Sequence, residues 1–309
     1  MLSVIVPYRN EEMLGFTVQR LHETISVPYE IITIDDGSDS RVDVPSGVKN
    51  IRFNHAIGAQ LARHVGIETA RYDTVLVIDA HMNFWDDDWS KRLVDYNVEH
   101  PTHVGCVLTL GLQRDRMEME QARGPYAGAH ILLKEISDKP NQHYVIARRV
   151  LVDKWNKSRT PGEVGCVLGG AYFMSREWYL ETLQAPWAEL RGWGILEANI
   201  SIPNYLLGGK NVCFDIEIGH MFRQAPPFHT NIHNLLFNEL YLVHVVVPDP
   251  KERDDLIAQL ALPDDQVTQK AWSMLNQSIH SWYRHYLVEK GVRTWADYKA
   301  EWMDPSREY

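Results

Sequence analysis

The sequence predicts an α/β protein built on a parallel sheet, with a helical appendage at its C-terminal end. Short apolar runs alternate with helix-patterned segments through the first eighty residues. Polar and acidic residues fall where those runs stop, at Asn10, Asp35, Asp36, Asp79 and His81. After about Leu235 the texture becomes helical throughout. In a sheet of this kind ligands bind beyond the carboxyl ends of the strands, so the polar strand ends mark the expected site.

The elements follow in order. Leu2 to Pro7 is a first strand, and Tyr8-Arg9-Asn10-Glu11-Glu12 leads into an amphipathic helix through about Ile25. Tyr29 to Ile34 is a second strand, ending on Asp35-Asp36-Gly37-Ser38, residues that also suit a turn with a helix cap. A third strand, Asn50 to Phe53, precedes a helix over Ala56 to Gly66, and Thr74 to Ile78 is the strand that ends on Asp79-Ala80-His81. From about Gly111 to Gly162 charged residues surround the apolar run His143 to Val152, as in an insertion around one or two strands. Gly169-Gly170 opens another strand, Gly192-Trp193-Gly194 leads into a helix that stops at Gly208-Gly209, and Ile218 to Arg223 precedes a Pro-rich loop. The tail then predicts helices over Asn238 to Val247, Lys251 to Leu262, Asp264 to Glu289 and Thr294 to Trp302. The expected division is a catalytic domain over 1–234 and a helical extension over 235–309.

Composition narrows the function. A chain of 309 residues with 45% hydrophobic content buries a substantial core. A net charge of −10 argues against a generic polyanion binder, with Arg148-Arg149 and Lys154 to Arg159 the candidates for a local basic groove. Cys106, Cys166 and Cys213 have neither disulfide-framework nor zinc spacing, which predicts a reducing compartment. The N-terminal apolar run is too short for a signal segment or membrane span, so a cytoplasmic protein without a membrane partner is expected.

Asp79 and His81 carry the strongest chemical signal. Side chains two apart at a strand end project to one side, and a carboxylate beside an imidazole suits a borderline divalent ion such as Mn²⁺. An ion of that kind holds a nucleoside diphosphate. Asp79 with two histidines also has the composition of a Zn²⁺ hydrolase site, although no H-E-x-x-H motif accompanies it.

Together, Val4 to Glu11, Asp35-Asp36-Gly37-Ser38 and Asp79-Ala80-His81 resemble the GT-A (Rossmann-like, family 2-like) nucleotide-sugar glycosyltransferases. With Gly-Gly-x-x-Phe, Trp193-Gly194, Gly208-Gly209 and Gly219-His220-Met221-Phe222-Arg223 added, residues 2 to 230 resemble the catalytic domain of polypeptide N-acetylgalactosaminyltransferases. The resemblance implies Asp79, His81 and His220 as Mn²⁺ ligands and Asp35 or Asp36 on the uracil or ribose. It further implies Pro7 and Arg63 near the nucleotide, Gly169 and Gly170 lining the sugar pocket, Trp193 covering the donor, and Arg223 closing over the diphosphate.

This chain also departs from that family. Its acidic residue after Trp-Gly is displaced to Glu197; Gln224, Pro226 and Phe228 stand where the family has Lys, His and Tyr; Ala56 replaces an Arg; and the helical tail stands in place of a lectin module. The resemblance implies a UDP-sugar donor, a hexose or N-acetylhexosamine transferred to a hydroxyl, and retention of configuration, with Glu197 the candidate base should the enzyme invert. Three acceptors stay open: a protein Ser or Thr, a saccharide, or a hydroxymethylated DNA base as in bacteriophage glycosyltransferases. A degenerate protein that holds a nucleotide sugar without turnover is the alternative of another class.

Overall fold

The computed structural model describes residues 1–113, 124–133, 151–155, 160–222, 231–260 and 265–303. Its main sheet has nine strands: β1 (Leu2–Tyr8), β2 (Tyr29–Asp35), β3 (Lys49–Arg52), β4 (Thr74–Ile78), β5 (Met82–Asn83), β6 (His103–Gly111), β9 (Gly162–Glu163), β10 (Ala171–Ser175) and β11 (Lys210–His220). β7 (Ala129–Leu133) and β8 (Leu151–Trp155) form a separate antiparallel pair. The helices are α1 (Leu14–Thr24), α2 (Ala59–Thr69), α3 (Trp89–Glu99), α4 (Leu196–Leu206), α5 (Ile232–Val246), α6 (Pro250–Ala258), α7 (Asp265–Asn276), α8 (His280–Lys290) and α9 (Trp295–Trp302), with a π-helical turn at Trp178–Thr182.

The strand order is β3-β2-β1-β4-β10-β6-β11-β5, with β9 added beside β11. β1 to β4 are parallel, as the alternation of strand and helix predicts. β10 departs from the all-parallel expectation, running antiparallel between β4 and β6. That reversal has a consequence for the site: Ala171 at the start of β10 pairs with Ile78 at the end of β4, so Gly169 and Gly170 arrive at the edge where Asp79 leaves the sheet. β11 runs parallel to β6 and delivers His220 to the same edge, opposite Gly111 and Met82.

Both faces of the sheet are covered, so its central strands are apolar at nearly every position. Leu2, Val4, Val6, Ile31, Leu76 and Ile78 pack with Leu14, Val18, Trp89 and Leu93 of α1 and α3. Their alternates Ile5, Ile32, Ile34, Val75 and Val77 face the other way, into a cluster shared with α2, α4 and the tail helices. Pro7 lies two residues past Ile5, the last β1 residue paired with β4, where its missing N–H costs no ladder bond.

Several expectations shift. α3, β6, the π-helical turn and the full length of β11 lie in segments where the sequence had suggested no element. α2 begins at Ala59, not Ala56, because Gly58 before it has φ +99°. The single helix expected over 264–289 is two, α7 and α8, separated where Ser278 turns its hydroxyl back to Leu275 O at 2.7 Å. α5 begins at Ile232, six residues before the helix expected from Asn238, and shares its apolar cluster with the sheet. Tyr298 and Tyr283 of the tail donate hydrogen bonds to Gly165 O at 2.9 Å and Leu183 O at 2.6 Å. No described helix is long and apolar enough to cross a membrane.

Candidate metal and nucleotide-sugar site

Asp79, His81 and His220 meet at the carboxyl edge of the sheet, each offering one donor atom, with those atoms within 4.8 Å of one another. Among the described residues this is the group of three or more potential metal-binding side chains. Asp79 leaves β4, His81 follows two residues on, and His220 ends β11, so local sequence supplies two members and the sheet brings the third across 139 positions of chain. His220 Nε2 lies 3.3 Å from Asp79 Oδ2, and the His81 and His220 rings are 4.9 Å apart. A carboxylate and two imidazoles at this spacing fit a divalent ion of the borderline class.

The charge on Asp79 is secured by its neighbours. Arg63, buried in α2, donates from Nη2 to Asp79 Oδ1 at 2.6 Å. Burial raises the Asp79 carboxyl, but the His220 hydrogen bond and the charges of Arg63 and His81 outweigh it and hold the group well below the usual carboxylate range. Arg63, expected near the nucleotide, thus forms an ion pair with a candidate metal ligand.

The paired glycines permit close approach. Gly170 has φ +79°, and a Cβ there would come within 2.9 Å of Asp79 Oδ2 and 3.1 Å of His220 Cδ2. Gly170 O also accepts the Asp79 N–H at 2.8 Å, tying the two strand ends together. A Cβ on Gly169, at φ +110°, would lie 2.1 Å from Thr109 Oγ1. Beside them Tyr172, fully buried in β10, donates its hydroxyl to Glu197 Oε1 at 2.9 Å, and the Gly170 N–H lies 3.4 Å from the same hydroxyl oxygen. Glu197 in the first turn of α4 is thereby linked to the glycine pair, with the helix N-terminus favouring its charge.

At the end of β2, Asp35 Oδ1 accepts from Ser38 N–H at 2.8 Å, and Arg52 approaches Oδ2 at 3.2 Å. Asp36 Oδ1 accepts from the N–H groups of Ile57 at 2.5 Å and Gly58 at 3.0 Å, so this carboxylate braces the entry to α2. Its burial pushes it above the usual range although those two N–H groups pull the other way. The β1 and β2 ends are cross-linked by Asn10, whose side chain donates to Asp39 Oδ2 and accepts from Asp39 N–H, both at 2.9 Å.

Trp193 is partly buried against the main core, and the glycines on either side of it are held. Gly192 O accepts from Ala59 N–H at 2.8 Å, while Gly194 O accepts from the side chains of Gln60 at 2.9 Å and Asn238 at 3.2 Å. Arg223 and the following residues Gln224, Pro226 and Phe228 lie outside the described residues, as do Arg148, Arg149 and most of the basic stretch 154–159.

Sequence reasoning placed the metal-type residues, the glycine pair and the strand-end acids at one edge, and the structure brings them together there. It missed the partners: Glu11 against His81 Nδ1 at 3.0 Å, Arg63 against Asp79, and Tyr172 against Glu197. Glu11 stood within the quoted β1 motif, but no local pattern links it to a residue seventy positions away.

Residues 3–156 match the family model described as Glycosyl transferase family 2. The chain is 23% identical over 244 residues to Polypeptide N-acetylgalactosaminyltransferase 8 of Drosophila melanogaster, an overlap of 72% of this chain and 38% of that protein. The crystal structure of GalNAc-T7 with UDP, GalNAc and Mn²⁺ superposes with a TM-score of 0.66 at 18% identity, over 98% of this chain and 58% of that one. The crystal structure of S. aureus TarS 1–349 matches at a TM-score of 0.46 and 12% identity, over 92% of this chain and 73% of that one. The chain thus spans less than two thirds of the length of the fly protein and of the GalNAc-T7 chain. What it shares with the latter is the GT-A fold.

Proposed function

Because this chain carries a glycosyl transferase family 2 domain over residues 3–156, we propose that it is a metal-dependent glycosyltransferase. It moves a hexose or N-acetylhexosamine from a UDP-sugar to a hydroxyl, with retention of configuration. The observation that carries this reading is the convergence of Asp79, His81 and His220 within 4.8 Å at the strand-end edge, against Gly170, whose lack of a Cβ lets the backbone before β10 lie close to Asp79 and His220. The GalNAc-T7 crystal structure holds UDP, GalNAc and Mn²⁺, which supports the same ligand classes here.

In this reading Asp79, His81 and His220 hold the Mn²⁺, and Arg63 keeps Asp79 ionised and aimed. When bound, the ion supplies positive charge to the diphosphate that departs. Asp35 and Asp36 shape the nucleoside end together with Pro7 near the end of β1, and Gly169 and Gly170 line the sugar pocket. Trp193 covers the donor, Arg223 closes over the diphosphate, and Glu197, held by Tyr172, receives donor hydroxyls. Catalysis belongs to residues 1–234, and 235–309 support it. Cys106, Cys166 and Cys213 are buried outside any disulfide, which supports a reducing, cytoplasmic setting.

A protein Ser or Thr, a saccharide and a hydroxymethylated DNA base remain the acceptor classes to test. The net charge of −10 and the exposed run Asp86-Asp87-Asp88 beyond His81 count against DNA. UDP release from UDP-GalNAc, UDP-GlcNAc, UDP-glucose and UDP-galactose with Mn²⁺, each with peptide, glycoside, hydroxymethylated DNA or no acceptor, tests the proposal. Release from one donor, stimulated by one acceptor and lost in Asp79→Ala, supports it; Mn²⁺-dependent UDP binding without release from any donor would favour a binding protein without turnover. The anomeric configuration of the product, read by NMR, decides retention.

A further inference from the structure

Given the metal site proposed above, we infer that Glu11 is the outer carboxylate that orients His81 as a ligand through Nε2. Glu11 is 5% exposed, lies in the segment between β1 and α1, and sets Oε2 3.0 Å from His81 Nδ1. An imidazole has two ring nitrogens, and a carboxylate, which only accepts, fixes the proton on the one it touches. Nδ1 then carries hydrogen toward Glu11, and the lone pair of Nε2 is left for the metal. A carboxylate behind a ligating imidazole also raises the basicity of the ring and restricts its rotation.

The grip on this ligand extends to its backbone. Thr17, fully buried in α1, accepts the Met82 N–H at 3.0 Å, and its hydroxyl faces Ala80 O and Met82 O, both at 3.1 Å. The hydroxyl therefore engages the chain on both sides of His81. Glu11 is itself held, since its Oε1 accepts Met13 N–H at 3.1 Å. One short stretch of chain, residues 11 to 17, thus fixes both the ring and the backbone of a ligand that β4 alone leaves on a loop. Asp79 receives the corresponding support from Arg63, so two of the three ligand side chains are braced by a charged neighbour of opposite sign or matching proton demand.

The test is titration of Mn²⁺ into the UDP-saturated full chain by calorimetry, for wild type, Glu11→Ala, Glu11→Gln and the ligand control His220→Ala. A second readout on the metal-free protein is the His81 tautomer, from ¹⁵N–¹H long-range NMR of histidine-labelled samples. Glu11→Ala is expected to weaken Mn²⁺ by about 10- to 100-fold and to mix the His81 tautomers. Glu11→Gln, which keeps the size and one acceptor, is expected to recover part of that loss and guards against a simple folding defect. Wild-type Mn²⁺ affinity in both Glu11 variants, with His220→Ala deficient, would overturn the role of Glu11 alone. Absence of Mn²⁺ binding by wild type, or no loss in His220→Ala, would overturn the metal site beneath it.

Discussion

Individual side chains at this site are constrained by what stands behind them. Gly170 shows the limit most directly, since any Cβ there meets Asp79 Oδ2 at 2.9 Å on a backbone with positive φ. Gly170→Ala is expected to fold yet lose Mn²⁺-dependent UDP affinity by at least about tenfold, or about 1.4 kcal/mol, measured by calorimetry with and without Mn²⁺. Glu197→Gln separates two roles. A residual transfer rate within about tenfold of wild type assigns it to binding donor hydroxyls, and abolition assigns it to base catalysis. Tyr172→Phe removes the hydroxyl that touches Glu197 and the Gly170 N–H, and is expected to raise the donor KM more than it lowers kcat, because the carboxylate that receives donor hydroxyls stays but loses its orientation.

At the scale of elements, the loop bearing Trp193 is held between α2 and α5. Gln60 and Asn238 both donate to Gly194 O, and Asn238 also donates to Arg191 O at 2.8 Å while accepting from its N–H at 2.9 Å. The first tail helix is therefore a strut for a loop of the candidate site. Asn238→Leu preserves bulk but removes the partner of the Arg191 N–H and C=O and one of the two donors to Gly194 O. It is expected to raise the donor KM several-fold and to speed amide exchange over 190–195, measured by hydrogen–deuterium exchange mass spectrometry. α9 offers a control remote from the site: its capping box joins Thr294 and Asp297 reciprocally, so Thr294→Ala is expected to cost about 1 kcal/mol in urea unfolding with UDP affinity unchanged.

Across the whole molecule, two histidines outside the site tie stability to pH. Burial, with the neighbouring His100 and Lys210, depresses His103 to about 4, where its Nδ1 is hydrogen-bonded with the Tyr96 hydroxyl at 2.9 Å. Burial also depresses His244 to about 4, opposed by its hydrogen bond to Leu240 O and reinforced by His280, Arg253 and Arg284. Unfolded histidines titrate near 6.5, so between about 6.5 and 4 the unfolded chain binds more protons than the folded one. Stability is therefore full above about pH 6.5 and declines as the pH falls toward 4. Urea midpoints measured from pH 7.5 to 4.5 are expected to fall, and His103→Gln to flatten part of that slope.

What the sequence determined by itself was the local chemistry. Short apolar runs set the strands, the residues at their ends set the candidate ligands, and Asp79 with His81 was legible because a strand projects alternate residues to one side. The helical character of the tail was legible from its periodicity, although Ser278 divides one expected helix in two. Only the tertiary structure decided which distant residues meet. The antiparallel insertion of β10 set Gly170 against Asp79, β11 carried His220 across to them, and the turn into α1 placed Glu11 behind His81. The physical reason is range: propensity and periodicity act over a few residues, whereas strand order and register are set by burial of the whole sheet between two apolar layers.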